Sequence, residues 1–240
     1  MNDRTCISYW FPLIESAGLP VPRTITTRID FSLLPLLGGE TPAGFLDFVD
    51  RLQGYAVAVG LPAFLRTGHG SGKHQFRECC FVGSINCIPQ RVLNLVEWSE
   101  CVDFMGLPTN VWAVREYLPV HPLYHCTRFG GMPVVKELRL FVDGANVVYE
   151  APYWPADALR QGEPDDPAWE ESYAADHTWT GADLDEARRL ASAAGAACGG
   201  IWSVDVLTTE RGLYVTDMAE AERSYGYKPE LFGGSRRLTK

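Results

Sequence analysis

Ile201-Trp202-Ser203-Val204-Asp205-Val206-Leu207-Thr208-Thr209-Glu210-Arg211-Gly212-Leu213-Tyr214-Val215-Thr216-Asp217-Met218 reads as two β-prone runs, 201–207 and 213–218, joined by a tight turn. The turn is read as Glu210-Arg211-Gly212, with the glycine where a left-handed backbone is wanted. A hairpin symmetric about Arg211 sets Asp205 opposite Asp217. Side chains alternate along a strand, so Ser203, Asp205 and Leu207 share a face with Val215 and Asp217, while Trp202, Val204 and Val206 take the other. Two carboxylates side by side in otherwise apolar strands repel, and the pattern calls for a cation between them. Magnesium, which takes one or two protein carboxylates beside substrate phosphates, meets that demand. The plainer reading leaves one aspartate in water at a strand end, paired with a lysine.

Upstream, residues 134–142 and 147–153 flank Asp143-Gly144-Ala145-Asn146 as a second hairpin. Alternation there puts Glu137 and Arg139 on one face and Leu138, Leu140 and Val142 on the other; Lys136 shares the apolar side near the strand start. A Glu-x-Arg pair is either a surface ion pair of little energetic weight or a carboxylate and guanidinium aimed at a phosphorylated ligand. Residues 184–197 are predicted helical, between Asp183 and Gly199-Gly200. Residues 111–119 read as a strand ending in Glu116-Tyr117-Leu118-Pro119, where the proline stops pairing. The stretch 155–181, rich in Asp, Glu, Pro and Trp without a period, reads as an irregular solvated insertion. Its tryptophans, with Trp154, mark a flap or a site for a basic peptide.

In the first half, residues 9–27 read as a loop feeding a strand at Thr24-Ile25-Thr26-Thr27. Helices are predicted over 41–59, with Thr41-Pro42 at its start, and over about 89–105; strands are predicted over 63–67 and 78–83. Between the strands, Gly68, Gly70 and Gly72 lie between Arg66 and Lys73. Bare backbone N–H groups flanked by cations suit phosphate oxygens. The likeness to a Walker loop is superficial, since three rather than four residues separate Gly68 from Gly72-Lys73 and His74 replaces Ser or Thr. His69 and His74 sit beside this loop, either exposed or touching substrate.

A chain of 240 residues, 46% hydrophobic, can bury a core as one domain of two lobes or two small packed domains. Its formal charge of -9 argues against a nucleic-acid partner. Seven cysteines without a regular framework, Cys79 and Cys80 adjacent, read as reduced thiols. Cys79, Cys80, Cys87, Cys101 and Cys126 with His121 and His125 lack the paired Cys-x-x-Cys spacing of a zinc site. Met1-Asn2-Asp3-Arg4-Thr5 opens no leader pattern, and no run reaches the ~20 apolar residues of a membrane span, so a cytoplasmic protein without membrane partners is expected.

Taken in order, Gly18-Leu19-Pro20-Val21-Pro22 leading to Thr24, the Arg66-Thr67 loop ending at Lys73, Val114-Arg115-Glu116-Tyr117-Leu118, Lys136-Glu137-Leu138-Arg139, Val204-Asp205-Val206 and Val215-Thr216-Asp217 resemble the ATP-grasp superfamily. The pattern spans about residues 9–225 and is similar to small bacterial and phage ATP-grasp proteins and to eukaryotic initiation-factor assembly chaperones of that fold, which carry a Glu-Phe-Arg strand. The resemblance implies an α+β fold of two lobes, each with a mainly antiparallel sheet and helices, and ATP between them. Residues 1–112 would supply an N-terminal segment and the first lobe, and 113–240 the second lobe with the insertion 155–181. Glu116, Tyr117 and Leu118 would form the hinge at adenine and ribose; Arg66 and Lys73 would hold phosphates, with Lys136 and Glu137 completing the nucleotide site. Arg139 and Lys73 would be catalytic, and Asp205 and Asp217 would bind magnesium. Ala219 stands where the family usually carries a metal-binding Asn, leaving Glu220 as the substitute ligand. The implied reaction is ATP-dependent joining of a small-molecule or peptide carboxylate to an amine through an acyl phosphate. An ATP-binding assembly protein with a protein partner, or a small-molecule kinase, are the alternatives.

Overall fold

Short strands, the central ones buried on both faces, form two antiparallel sheets in a computed structural model that describes residues 3–102 and 104–232. Met1, Asn2, Asp103 and residues 233–240, including the outer ends of both segments drawn from the sequence, lie outside the described residues. The first sheet comprises β1 (Thr24–Arg28), β2 (Ala63–Thr67), β3 (Phe81–Val82) and β4 (Val111–Glu116), in the order β1-β4-β2-β3. Helices α2 (Phe45–Val59) and α4 (Ile88–Cys101) cover one face, with Phe48, Leu52, Val92 and Leu95 packed against Leu65, Trp112 and Val114. The short helix α3 (Phe76–Cys79) precedes β3.

The second sheet has the order β10-β9-β7-β8, from β7 (Glu137–Asp143), β8 (Asn146–Pro152), β9 (Ile201–Thr209) and β10 (Gly212–Glu220). Leu138, Leu140 and Val142 face its helices as expected, which leaves Glu137 and Arg139 on the opposite face. Two helices cover the apolar face, α1 (Ile7–Ser16) and α7 (Gly181–Cys198). A third cluster joins the hairpin β5 (Tyr124–Cys126) and β6 (Met132–Val134) to α5 (Ala156–Gly162) and α6 (Trp169–Asp176) through Tyr124, Met132, Leu159 and Trp169. No helix among the described residues is long and apolar enough to cross a membrane.

Several expectations are corrected. Residues 155–181 hold α5, α6 and the start of α7, and Trp154, Trp169 and Trp179 are buried in the hydrophobic clusters rather than displayed on a solvated flap. The N-terminal segment contains helix α1, and that helix packs on the second sheet, where Trp10 and Ile14 meet Leu140, Val204 and Leu190. Strand β4 lies whole in the first sheet, so the sheets divide after Glu116 rather than at 112/113. Residues 78–83 begin as the end of α3 and pair only at Phe81–Val82. The run 134–142 is broken, because Val134 pairs with Tyr124 in one sheet and Glu137 with Leu207 in another. Helix α2 starts at Phe45 after Gly44, whose φ of 85° breaks the turn, and α4 ends at Cys101.

In the final hairpin Thr209 pairs with Gly212, so the loop is the two residues Glu210-Arg211. A bulge at Thr216 then shifts the register by one and brings Asp217 opposite Asp205. Val215, paired with Val206, turns into the helix-covered core instead of sharing the aspartate face.

Trp10 is 0% exposed and Leu13 38% exposed on the same helix. Trp10→Ala is expected to lower stability by about 3–5 kcal/mol and Leu13→Ala by less than about 0.5 kcal/mol, read from urea midpoints. Equal effects would mean that α1 is not part of the second lobe's core.

Candidate functional site

Antiparallel register decides what faces the space between the two sheets. Pairing of Phe64 with Arg115 and of Arg66 with Ala113 puts Phe64, Arg66 and Arg115 on the face turned away from Leu65 and Val114. From the other side come Glu137, Leu207, Thr216 and Asp217, and the cleft so formed is also lined by Lys73, Glu116, Tyr117, Leu118, Met132, Val135 and Trp154. Phe64, Leu118, Met132, Val135 and Leu207 supply apolar wall; the charged groups are Arg66, Lys73, Arg115, Glu116, Glu137 and Asp217.

The facing aspartates each hold an arginine. Arg139 donates from Nε and Nη2 to the two oxygens of Asp205, both at 2.8 Å. Arg66 Nη1 donates across the cleft to Asp217 Oδ1 at 2.8 Å. Arg66 is buried, whereas the Asp217 side chain is 41% exposed and open to a ligand. Burial works to raise the Asp217 carboxyl, but Arg66, then Arg115 and Lys73, hold it below the usual carboxylate range. Each carboxylate is therefore balanced by the protein's own cations, Asp205 by Arg139 and Asp217 by Arg66.

Lys73 Nζ lies 3.8 Å from the Tyr153 ring centroid and 5.0 Å from that of Trp154. Burial disfavours its charge, yet Tyr153, Glu137 and Asp205 keep it protonated beyond the ordinary lysine range. Glu137 is buried and accepts the Thr216 hydroxyl at 3.2 Å. Burial pushes its carboxyl up to about 7, with Lys73 opposing and Asp205 reinforcing. At the end of β4, the Glu116 carboxylate meets Arg211 at 2.8 Å and Arg23 at 3.4 Å. Burial acts upward there too, but the Arg23 backbone N–H and Arg211 hold the carboxyl down.

Arg66, Lys73, Glu116, Tyr117, Leu118, Glu137 and Asp217 thus meet in one cleft. Asp205 and Arg139 stand behind them, the Arg139 guanidinium 4.6 Å from the Tyr153 ring centroid. Two residues go elsewhere. Glu220 shares the parity of Met218, which is buried on the helix side, so it faces away from Asp217 and pairs with Arg4 at 3.8 Å. Lys136 lies on the apolar side of β7, its Nζ 5.4 Å from the Trp179 ring centroid. The glycine-rich loop is also not a bare phosphate cradle: the His69 and Gly70 N–H groups donate to Thr67 Oγ1, and a Cβ on Gly70 would strike Trp98. His69 bonds Asp3 and His74 stacks on Phe129.

Arg115, Tyr153 and Thr216 have no site role in the sequence reading, and Trp154 only that of a flap or peptide-site residue. Arg115 could have been singled out, as the one charge in the buried run Val111-Trp112-Ala113-Val114-Arg115. Among the described residues no three His, Cys, Asp or Glu side chains gather as a cation site, so a metal here would need oxygens from a ligand.

No protein-family model matches the sequence, and no curated protein does. Solved structures match in fold. C-terminally truncated Cdc123 from Schizosaccharomyces pombe matches at 9% identity with a TM-score of 0.59, covering 99% of this chain and 92% of that one. D-alanine–D-alanine ligase from Bacillus anthracis, complexed with ATP, gives 11% and 0.50, over 90% of this chain and 54% of the ligase. The biotin carboxylase domain of Hydrogenobacter thermophilus 2-oxoglutarate carboxylase, in complex with magnesium ADP, gives 12% and 0.53, over 90% and 39%. The chain thus spans about half or less of the ligase and carboxylase. The fold is the α+β ATP-grasp architecture that these three structures share.

Because the folded state holds the Glu137 proton more tightly than the ordinary value of 4.5, the associated stability is full below that value and lost as pH rises through about 7. Glu137→Gln should therefore gain in melting temperature over wild type as pH is raised from about 5 to about 8. A difference that stays flat over this window would show that Glu137 is ionised throughout.

Proposed function

We propose that the cleft binds Mg-ATP and that the protein is an ATP-dependent carboxylate–amine ligase. The observation behind this reading is the charge arrangement across the cleft, with Arg66 and Lys73 from the first lobe facing the paired Asp205 and Asp217 of the second. Adenine fits the apolar wall of Leu118, Met132, Val135 and Leu207, and Glu116 is the acceptor for ribose hydroxyls. Phosphate oxygens offer Arg66 and Lys73 better partners than one aspartate and two aromatic rings.

Asp205 and Asp217 fit a magnesium ion bound together with the nucleotide, because two carboxylates paired across neighbouring strands suffice when phosphates complete the shell. Such an ion supplies charge neutralisation on the transferring phosphoryl group. Lys73 orients the phosphates, and Arg139, held by Asp205 beside Tyr153, stabilises charge on the γ-phosphoryl group as it moves. The γ-phosphoryl group passes to a substrate carboxylate, giving ADP and an acyl phosphate. An amine then attacks the acyl carbon and expels phosphate to leave an amide. The substrate class is a small-molecule or peptide carboxylate with an amine partner. A second reading, an ATP-binding assembly protein with little chemistry, is favoured by Ala219, which leaves Asp217 without a neighbouring ligand on its own face. A kinase on the same fold would yield a stable phosphorylated product without an amine.

Calorimetric titration with Mg-ATP should show binding by wild type and a loss of about tenfold or more, roughly 1.4 kcal/mol, in Asp217→Asn and Lys73→Ala. ADP release across pooled amino acids and peptides should then rise only when both carboxylate and amine are present. Binding without turnover would move the protein to the second reading, and no nucleotide binding by wild type would sink the first.

A further inference from the structure

Arg115 carries no role in the proposed reaction, yet it lines the cleft with part of its guanidinium buried and unpartnered. It is 5% exposed and lines the same cleft as Arg66, Lys73 and Asp217. Its Nε donates to Thr24 Oγ1 at 3.1 Å and its Nη1 to the Thr216 carbonyl at 2.6 Å, while its buried Nη2 has no acceptor among the described residues. No carboxylate of the described residues bonds it, and the nearby Asp217 bonds Arg66. Burial, and next the nearby Arg66 charge, disfavour the guanidinium's charge, with Asp217 only partly opposing. Tying two lobes together through a hydroxyl and a carbonyl needs donors but no net charge. A buried cation with one free N–H edge, beside a second cation, is instead built for an anion with several oxygens.

We propose that Arg115 binds the phosphate chain of the nucleotide on its base side, at the α- and β-phosphates. Its place follows from the chain: Glu116, the next residue, is at the hinge, and Arg115 Nη1 reaches Thr216, next to Asp217. Arg115 therefore stands between the hinge and the paired aspartates, whereas Arg139 stands behind Tyr153. Thr24 and the Thr216 carbonyl fix two edges of the guanidinium plane and leave the third for phosphate oxygens.

This inference rests on the nucleotide reading of the cleft, and the test separates the two. Wild type, Arg115→Met and Arg115→Lys are titrated with Mg-ATP, Mg-ADP and adenosine by calorimetry, with thermal melts of each. The Met variant should lose about tenfold or more in affinity for both Mg-ATP and Mg-ADP, and the Lys variant about threefold or more, while adenosine affinity is unchanged. Wild-type Mg-ADP affinity in the Met variant, or an equal loss for adenosine and Mg-ADP, overturns the proposal and leaves Arg115 as a lobe clamp. If the Met variant does not fold, the Lys variant decides, and unchanged Mg-ADP affinity in it overturns the proposal. Absence of all nucleotide binding in wild type instead brings down the reading of the cleft, and this inference with it.

Discussion

Repulsion between Asp205 and Asp217, set opposite each other on neighbouring strands, is the constraint around which the rest of the molecule is arranged. Asp205 is compensated within its own lobe, by the two-pronged Arg139. Asp217 is compensated from across the cleft, by Arg66. Charge balance and lobe approach are therefore one event: separating the sheets leaves Asp217 without its arginine and Arg66 buried without its carboxylate. The bulge at Thr216 makes the arrangement compatible with a packed core, because it turns Asp217 outward while keeping Val215 under α7 and α1. It also exposes the Thr216 carbonyl to Arg115 and the Thr216 hydroxyl to Glu137.

The surrounding ion pairs differ in what they do. Arg160 with Asp157 and Arg189 with Glu186 are exposed helix pairs of small energetic weight. Inside the cleft the same chemistry sets protonation instead: Glu137 sits near neutrality and Lys73 is held charged by acidic neighbours. Asp205, Asp217 and Glu116 thus each hold an arginine, and a polyanion with its counter-ion offers these groups alternative partners.

Local alternation was enough to read the faces of β7, where Glu137 and Arg139 separate cleanly from Leu138, Leu140 and Val142. The Asp205–Asp217 pairing was also legible, though the symmetric turn behind it was not the real cause, and the cost of that error was Val215. No residue type announces a bulge, so an unbroken count across Thr216 set Val215 on the aspartate face; Glu220 came from the family resemblance, and simple alternation from Asp217 already turns it away. Helix α1 was hidden because its partners Leu190, Val204 and Leu140 lie far along the chain and because Pro12 sits inside it. Helices α5 and α6 were hidden because α6 buries a single large side chain, Trp169, rather than a stripe. The glycines after β2 looked like phosphate contacts, and Gly70 is explained by Trp98 instead. The order of the charged motifs carried more of the fold than any one of them.

The seat of α1 on the second sheet has a consequence for how the chain is made. The strand that follows it, β1, belongs to the first sheet, so the polypeptide visits the second lobe, leaves it for about a hundred residues, and returns. No single cut yields an intact second lobe; only a circular permutant, with residues 7–16 carried behind β10, would make it contiguous. Helix α1 precedes its partners on β7, α7, β9 and β10 by more than a hundred residues of chain, so the core of the lobe bearing both aspartates is complete only once β10 has been made.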